Sequence, residues 1–341
     1  MKIGIVGYGT GGKHFHAPFI NAAEGVELAG IVARAPATIA RVRADFPDIP
    51  IYASLTDMLA AGVDAVTITT PPQTRRELVL EAIAAGVAVI ADKPFAPDAK
   101  TGRELANAAK AKGVVLSVYH NRRFDHDVRT LKKLIEQNRV GKVWRLHNRM
   151  DFDDANTLEG GKTGGLLRDL GSHIVDQALF LLGPVKSVYA QLDIIDLPEG
   201  PTDASFVLTL THQNGTKSYL SATKLNRFVC REFRLYGDAG SFVSQGTDVQ
   251  AQAIFAGQRP ADDRDAWGYE QPEHWGTLNT PQGSESVPSE QGAYHAYYEA
   301  FAQAVRDGSE PPVTPEQAIE VLAVLDAAFV SARENRVVDV I

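Results

Sequence analysis

Sulfur chemistry is almost absent from this chain: among 341 residues there is one cysteine, Cys230. One thiol closes no internal disulfide and supplies no cysteine-based zinc module, so a reducing compartment, the cytoplasm, is expected. Also missing is any uninterrupted apolar run of about eighteen residues. The apolar stretch that follows Met1-Lys2 is too short for the core of a secretion signal. Neither a secreted nor a membrane-spanning protein is expected. There is no basic excess either: 34 Lys and Arg face 42 Asp and Glu, a formal charge of −8. Such a balance offers phosphate backbones no long-range attraction and argues against nucleic acid as a partner. What the chain does have is 44% hydrophobic residues over a length that suits about two domains with a large core.

The first 120 or so residues alternate short β-rich apolar runs with longer amphipathic stretches, the pattern of parallel strands joined by crossover helices. Strands are predicted over Lys2 to Gly7, Glu27 to Ala33, Ala65 to Thr70, Val87 to Asp92 and Val114 to Tyr119, with helices over Gln73 to Ala85 and Asp98 to Lys112. After Asn121-Arg122-Arg123-Phe124 the texture changes to consecutive strand-like runs: Val185 to Ile195, Ala204 to Thr211, Lys217 to Thr223, Glu232 to Tyr236 and Gly240 to Ser244. A helix over Leu166 to Leu182 should precede this sheet, with helices over Gln291 to Arg306 and Pro315 to Glu334 after it. The polar stretch Gly257 to Glu290 reads as a long surface loop. The fold class expected is α/β: a parallel-sheet domain over 1–121, then an α+β domain with a large, mostly antiparallel sheet over 122–341.

Gly7-Tyr8-Gly9-Thr10-Gly11-Gly12 carries Gly-x-Gly-x-x-Gly directly after the first strand and before a helical run. Gly7 would make the tight turn, Gly9 would admit a pyrophosphate to the backbone, and Gly12 would let helix and strand pack closely. The free N–H groups of the helix start then face the anion. At the tip of the second strand, where NAD-preferring folds usually carry a carboxylate for the ribose hydroxyls, the chain reads Ile31-Val32-Ala33-Arg34. A carboxylate beside a 2′-phosphate would cost about 1–4 kcal/mol, and a guanidinium reverses the sign. NADP is therefore the expected cofactor, with NAD the other candidate.

Asp92-Lys93-Pro94 ends the fourth predicted strand, on the carboxyl edge where open α/β sheets bind ligands, and the proline keeps Lys93 out of a helix. In Asp169-Leu170-Gly171-Ser172-His173-Ile174-Val175-Asp176, steps of four and three put Asp169, His173 and Asp176 on one helix face. A carboxylate one turn from an imidazole suits proton transfer from an alcohol near neutral pH. An Asp-x-x-x-His pair with no recognisable third ligand does not make a metal site, and none is expected. His14 and His16 follow the glycine turn; His16 either faces the nicotinamide or fills a core or surface role.

The glycine turn, the Asp92-Lys93-Pro94 tripeptide and the Gly164-to-Asp176 helix together resemble the glucose-fructose oxidoreductase, inositol dehydrogenase and rhizopine-catabolism (Gfo/Idh/MocA) family over essentially the whole chain. Ser117 to Asp125 and Asp169 to Gln177 look most like its NADP-dependent scyllo-inositol dehydrogenase branch. The resemblance implies a Rossmann nucleotide-binding domain and assigns Lys93, Asp169 and His173 as catalytic residues. It also implies Thr70-Pro71 beside the nicotinamide ribose, Lys93 near the cofactor, Asn121 and Arg122 toward substrate, and Tyr294 as a substrate contact. Two positions depart from the family pattern: Asp92 replaces glutamate, and Arg75 stands where many members have histidine.

The function so implied is hydride transfer between nicotinamide and a secondary hydroxyl of a polyol or cyclic sugar, with scyllo-inositol the first choice of substrate. The alternatives are an aldose, ketose or anhydro-sugar reductase of the same family, or a non-catalytic dinucleotide-sensing regulator. Relatives cover their antiparallel sheet with another subunit, so a homodimer or homotetramer is expected. Trp267 and Trp275 are candidates for an interface, a lid, or packing on their own domain.

Overall fold

The computed structural model describes residues 1–161 and 164–341. Two compact units divide the chain: Met1–Asn121 with 250–267 and 293–319, and Arg122–Val249 with 268–292 and 320–341.

In the first unit, β1 (Lys2–Val6), β2 (Glu27–Val32), β3 (Ile51–Tyr52), β4 (Ala65–Ile68), β5 (Ala88–Asp92) and β6 (Leu116–Tyr119) form a six-stranded sheet in the order β3-β2-β1-β4-β5-β6. All of its pairings are parallel. Ile3, Ile5, Val66, Ile68, Val89 and Ile90 are buried, which is why these strands read as continuous apolar runs rather than alternating ones. The connections run through α1 (Ala17–Ala22), α2 (Pro36–Asp45), α3 (Leu55–Ala60), α4 (Pro72–Ala84) and α5 (Ala99–Lys112). Asp98 caps α5 by accepting from the Thr101 amide at 2.7 Å, and Gly113, with φ of 68°, closes it in the left-handed region.

The helix after the glycine turn begins with a widened turn over Gly11–His16, where the Ala17 amide donates to the Gly12 carbonyl five residues back. Pro18 accounts for it, because a ring without an N–H cannot close the usual four-residue bond and crowds the preceding turn. From the C-terminal part of the chain, Tyr294 and Trp267 pack edge-on against Phe19, at 5.1 and 5.8 Å between ring centres.

The second unit holds α6 (His126–Glu136), α7 (Leu166–Leu182) and nine strands: β7 (Val143–Asp153), β8 (Val185–Leu197), β9 (Gly200–His212), β10 (Lys217–Thr223), β11 (Leu225–Gly237), β12 (Ser241–Gln245), β13 (Gly276–Thr280), β14 (Gly283–Val287) and β15 (Val338–Asp339). Their order is β14-β13-β12-β11-β7-β10-β9-β8-β15. Among the described residues only β7 and β10 pair in parallel, so the sheet is mostly antiparallel. Leu167, Leu170, Ile174 and Ala178 of α7 belong to the same core as Phe206, Leu208, Leu220 and Phe233 of the sheet.

Three local expectations need correction. The stretch Gly257 to Glu290 is not one loop: it contains the β13–β14 hairpin, which continues the sheet from β12. The helix expected from Gln291 begins at Tyr294. Both α6 and β7 lie where no element was predicted.

Candidate active site

Gly7 follows β1 with φ of 105°, a conformation that L side chains rarely adopt. A Cβ on Gly12 would sit 2.2 Å from the Gly7 carbonyl oxygen, so only glycine allows the helix start to lie this close to the strand. Around Gly9 the reverse holds: nothing lies within 4 Å of a Cβ built there. The three glycines thus divide as turn, open approach and close packing, which is what a pyrophosphate seated on this turn requires. A cleft of about 760 Å³ runs past the turn at the carboxyl ends of the strands, lined among others by Gly7, Arg34, Thr38, Thr70 and Pro71. Arg34 is exposed just beyond β2. The carboxylates lining the cleft, Glu77 and Glu81, come from α4 and not from the β2 tip. Thr70 Oγ1 is buried and has no hydrogen-bond partner among the described residues. An open backbone, a guanidinium at the rim and an unsatisfied hydroxyl fit a dinucleotide.

Next to this turn lies the one that carries Lys93. Asp92 Oδ1 accepts from the Lys93 amide at 2.8 Å, and its Oδ2 accepts from Thr69 Oγ1 at 2.7 Å. His16 Nε2 stands 3.4 Å from the same Oδ2. Burial alone would raise the Asp92 carboxyl; His16, Arg75 and the Thr69 hydroxyl outweigh it and hold the group well below the usual carboxylate range. A Cβ on Gly11 would sit 2.5 Å from Thr69 Oγ1 and 3.1 Å from Asp92 Oδ2, so the Lys93 turn abuts the glycine turn. His16 takes the core role: fully buried, it contacts the Tyr298 hydroxyl with Nδ1 at 2.7 Å.

Arg75, on the first turn of α4, is buried and donates to the Thr70, Asp92 and Pro94 carbonyls at 2.6, 2.8 and 2.5 Å. Burial pulls its guanidinium below the ordinary value and the Asp92 charge draws it back.

In the second unit, Gly165 precedes α7 with φ of 102°, and a Cβ there would lie 2.1 Å from Asp203 Oδ1. Asp203 Oδ2 accepts from the Leu167 amide at 2.6 Å, satisfying one free N–H of the helix start. Asp169 is on the first turn, its side chain 46% exposed, with Lys224 Nζ 3.2 Å from Oδ2. One turn later His173 is nearly enclosed, at 8% exposure. Asp176 shares their face but is occupied otherwise: buried, it accepts from Arg123 Nε at 3.0 Å and Nη2 at 2.6 Å. Arg122 pairs with Asp125 at 3.1 Å and Asp248 at 2.9 Å, and Arg231 joins the cluster through Asp125 and Asp127 at 2.6 Å each.

Residues 1–120 match the family described as oxidoreductase, NAD-binding Rossmann fold, and residues 132–340 match its C-terminal alpha/beta domain. The chain belongs to the Gfo/Idh/MocA family. Among members of that family it is 34% identical to scyllo-inositol 2-dehydrogenase (NADP(+)) IolW of Bacillus subtilis, over 99% of this chain and 95% of that protein. It is 27% identical to D-apiose dehydrogenase of Paraburkholderia graminis, over 95% of this chain and 87% of that one. The solved structure of the oxidoreductase YvaA of Bacillus subtilis overlays with a TM-score of 0.90 at 33% identity, covering 99% and 97% of the two chains. The protein is thus a nicotinamide-dependent oxidoreductase with the Rossmann and mixed-sheet architecture of the family.

Three aromatic residues singled out in this Gfo/Idh/MocA enzyme are held by contacts within their own units. Tyr294, expected at substrate, is a core residue at 1% exposure, its ring against Phe19 and its amide bonded to Gln250 Oε1. Trp267 is likewise packed, donating from Nε1 to Gln250 at 3.1 Å, while Trp275 donates to the Glu270 carbonyl. Asn121, the last residue of the first unit's opening segment, is buried. Lys224 gave no sequence signal at all, because a lone lysine between two strands is usually solvated.

Proposed function

We propose that this enzyme moves a hydride between NADP and a secondary hydroxyl of a polyol or cyclic sugar, with scyllo-inositol as the first substrate to test. The observation that carries the reading is the Asp92 carboxylate, which fixes the Lys93 amide and the Thr69 hydroxyl against the glycine turn. That arrangement supports a role for Lys93 at the nicotinamide end of a dinucleotide seated on the turn. Similarity to IolW and the exposed Arg34 at the β2 tip support NADP over NAD.

The bound nicotinamide supplies a hydride acceptor at its C4. His173, as an imidazole, takes the hydroxyl proton; Asp169 stabilises the imidazolium that results; and Lys93 offers its ammonium to the negative charge growing on the substrate oxygen. Asn121 and Arg122 orient the remaining hydroxyls. In the reverse direction the same groups protonate a carbonyl, and the similarity to D-apiose dehydrogenase favours a sugar as the second candidate. A homodimer or homotetramer in the cytoplasm belongs to the same proposal, and sedimentation at micromolar concentration tests the assembly. Among the described residues no helix is long and apolar enough to cross a membrane.

The test is a panel of inositols, aldoses and ketoses assayed in both directions with NADP and NAD. Turnover on an inositol, with kcat/KM at least tenfold higher for NADP, supports the proposal. Preference for NAD removes Arg34 from it, and absence of turnover on every polyol and sugar overturns it.

A further inference from the structure

The surroundings of Arg75 are unusual for a buried cation. Nη1 and Nη2 donate to backbone oxygens, not to a carboxylate. Nη1 serves the Asp92 and Pro94 carbonyls, on either side of Lys93; Nη2 serves the Thr70 carbonyl, at the end of β4. β4 and β5 are adjacent parallel strands whose pairing ends at Ile68 and Ala91, so beyond these residues no ladder bond ties the two tips together. The Arg75 guanidinium spans that gap, beside the Thr69 hydroxyl bonded to Asp92.

We propose that Arg75 is a positioning residue that locks the Lys93 turn to the Thr70–Pro71 turn, and so sets the ammonium relative to the cofactor. This rests on Lys93 acting in catalysis, as proposed above. The geometry explains why arginine is needed. Two parallel N–H arms of a rigid planar fork reach both turns at once; an ammonium is a single point, and an imidazole presents two nitrogens on a shorter arm. Asp92 also fixes the Lys93 amide with its carboxylate, so the Lys93 turn is held by a side chain of its own as well as by Arg75. A reacting group displaced by about 1 Å can lose about 10²-fold in rate.

A positioning role predicts dependence on the residue positioned, which a double-mutant cycle reads in the full-length enzyme with NADP. Arg75→Ala should lower kcat about 10- to 100-fold in the native background, with less than a threefold change in polyol KM. In a Lys93→Ala background the same substitution should cost less than about threefold. Millimolar guanidinium ion should restore part of the lost turnover in Arg75→Ala alone. If that variant does not fold, Arg75→Lys takes its place in the cycle. Equal losses in both backgrounds overturn the inference and leave the catalytic assignment standing. Native turnover in Lys93→Ala overturns the assignment itself, and the inference with it.

Discussion

Lys224 holds its ammonium 3.2 Å from Asp169 Oδ2, one helical turn before His173, with only 9% of the lysine side chain exposed. A nearly enclosed ammonium beside a half-exposed carboxylate holds that carboxylate in one place. Lys224→Met should lower kcat about tenfold through misplacement of Asp169. NADPH affinity, measured by its fluorescence, should stay within twofold. Turnover equal to the native enzyme would show that Asp169 is placed by α7 alone.

The glycines of the nucleotide turn predict opposite phenotypes. Gly9 faces open space, so Gly9→Val should leave the melting temperature within a few degrees while weakening NADPH binding more than tenfold. At Gly12 a methyl group meets the Gly7 carbonyl at 2.2 Å. Gly12→Ala should therefore destabilise the fold itself, by roughly 1–3 kcal/mol, as overpacking does. Thermal melts and fluorescence titrations on the two variants separate a ligand-facing glycine from a packing one.

A buried histidine makes stability depend on pH. Burial opposes charge at His126, but the carboxylates of Asp127 and Glu270 outweigh it against Arg231, so the ring holds its proton more tightly than usual. A raised folded value contributes stability that is fully present below about pH 6.5, the unfolded value, and lost as pH climbs through the folded one. His126→Asn should therefore differ most from the native enzyme in melting temperature at pH 6 and least at pH 9. A difference that grows with pH would reverse the sign of this contribution.

Much of the architecture was legible because the local code agrees with the fold. β1, β4 and β5 are buried on both faces and show it as Val-, Ile- and Ala-rich runs interrupted inside by only Gly4 and Thr67. α7 shows its core stripe through Leu167, Leu170, Ile174 and Ala178. β7 was missed because its inward alternation includes Asn148, which donates to Gln177 inside the core at 2.7 Å, while Arg145 and Arg149 alternate outward. The β13–β14 hairpin was missed because Ser284, Glu285 and Ser286 are exposed and look like loop. The shared helix face of Asp169 and His173 was visible from spacing, whereas the burial of Lys224, Arg75 and Arg231 was not. Burial of a cation depends on carbonyls and carboxylates that arrive from distant segments: Asp125 and Asp127 bind Arg231 across more than 100 residues of chain. The burial of Tyr294 was invisible for the same reason, since its partner Phe19 lies at the opposite end of the sequence.

The most direct test of the account compares kcat for the native enzyme, Lys93→Ala and His173→Ala on the polyol that turns over best, alongside NADPH affinity for all three. The account predicts that each substitution lowers kcat by about 10²- to 10⁴-fold while NADPH affinity changes by less than about threefold. Native kcat in either folded variant would contradict it.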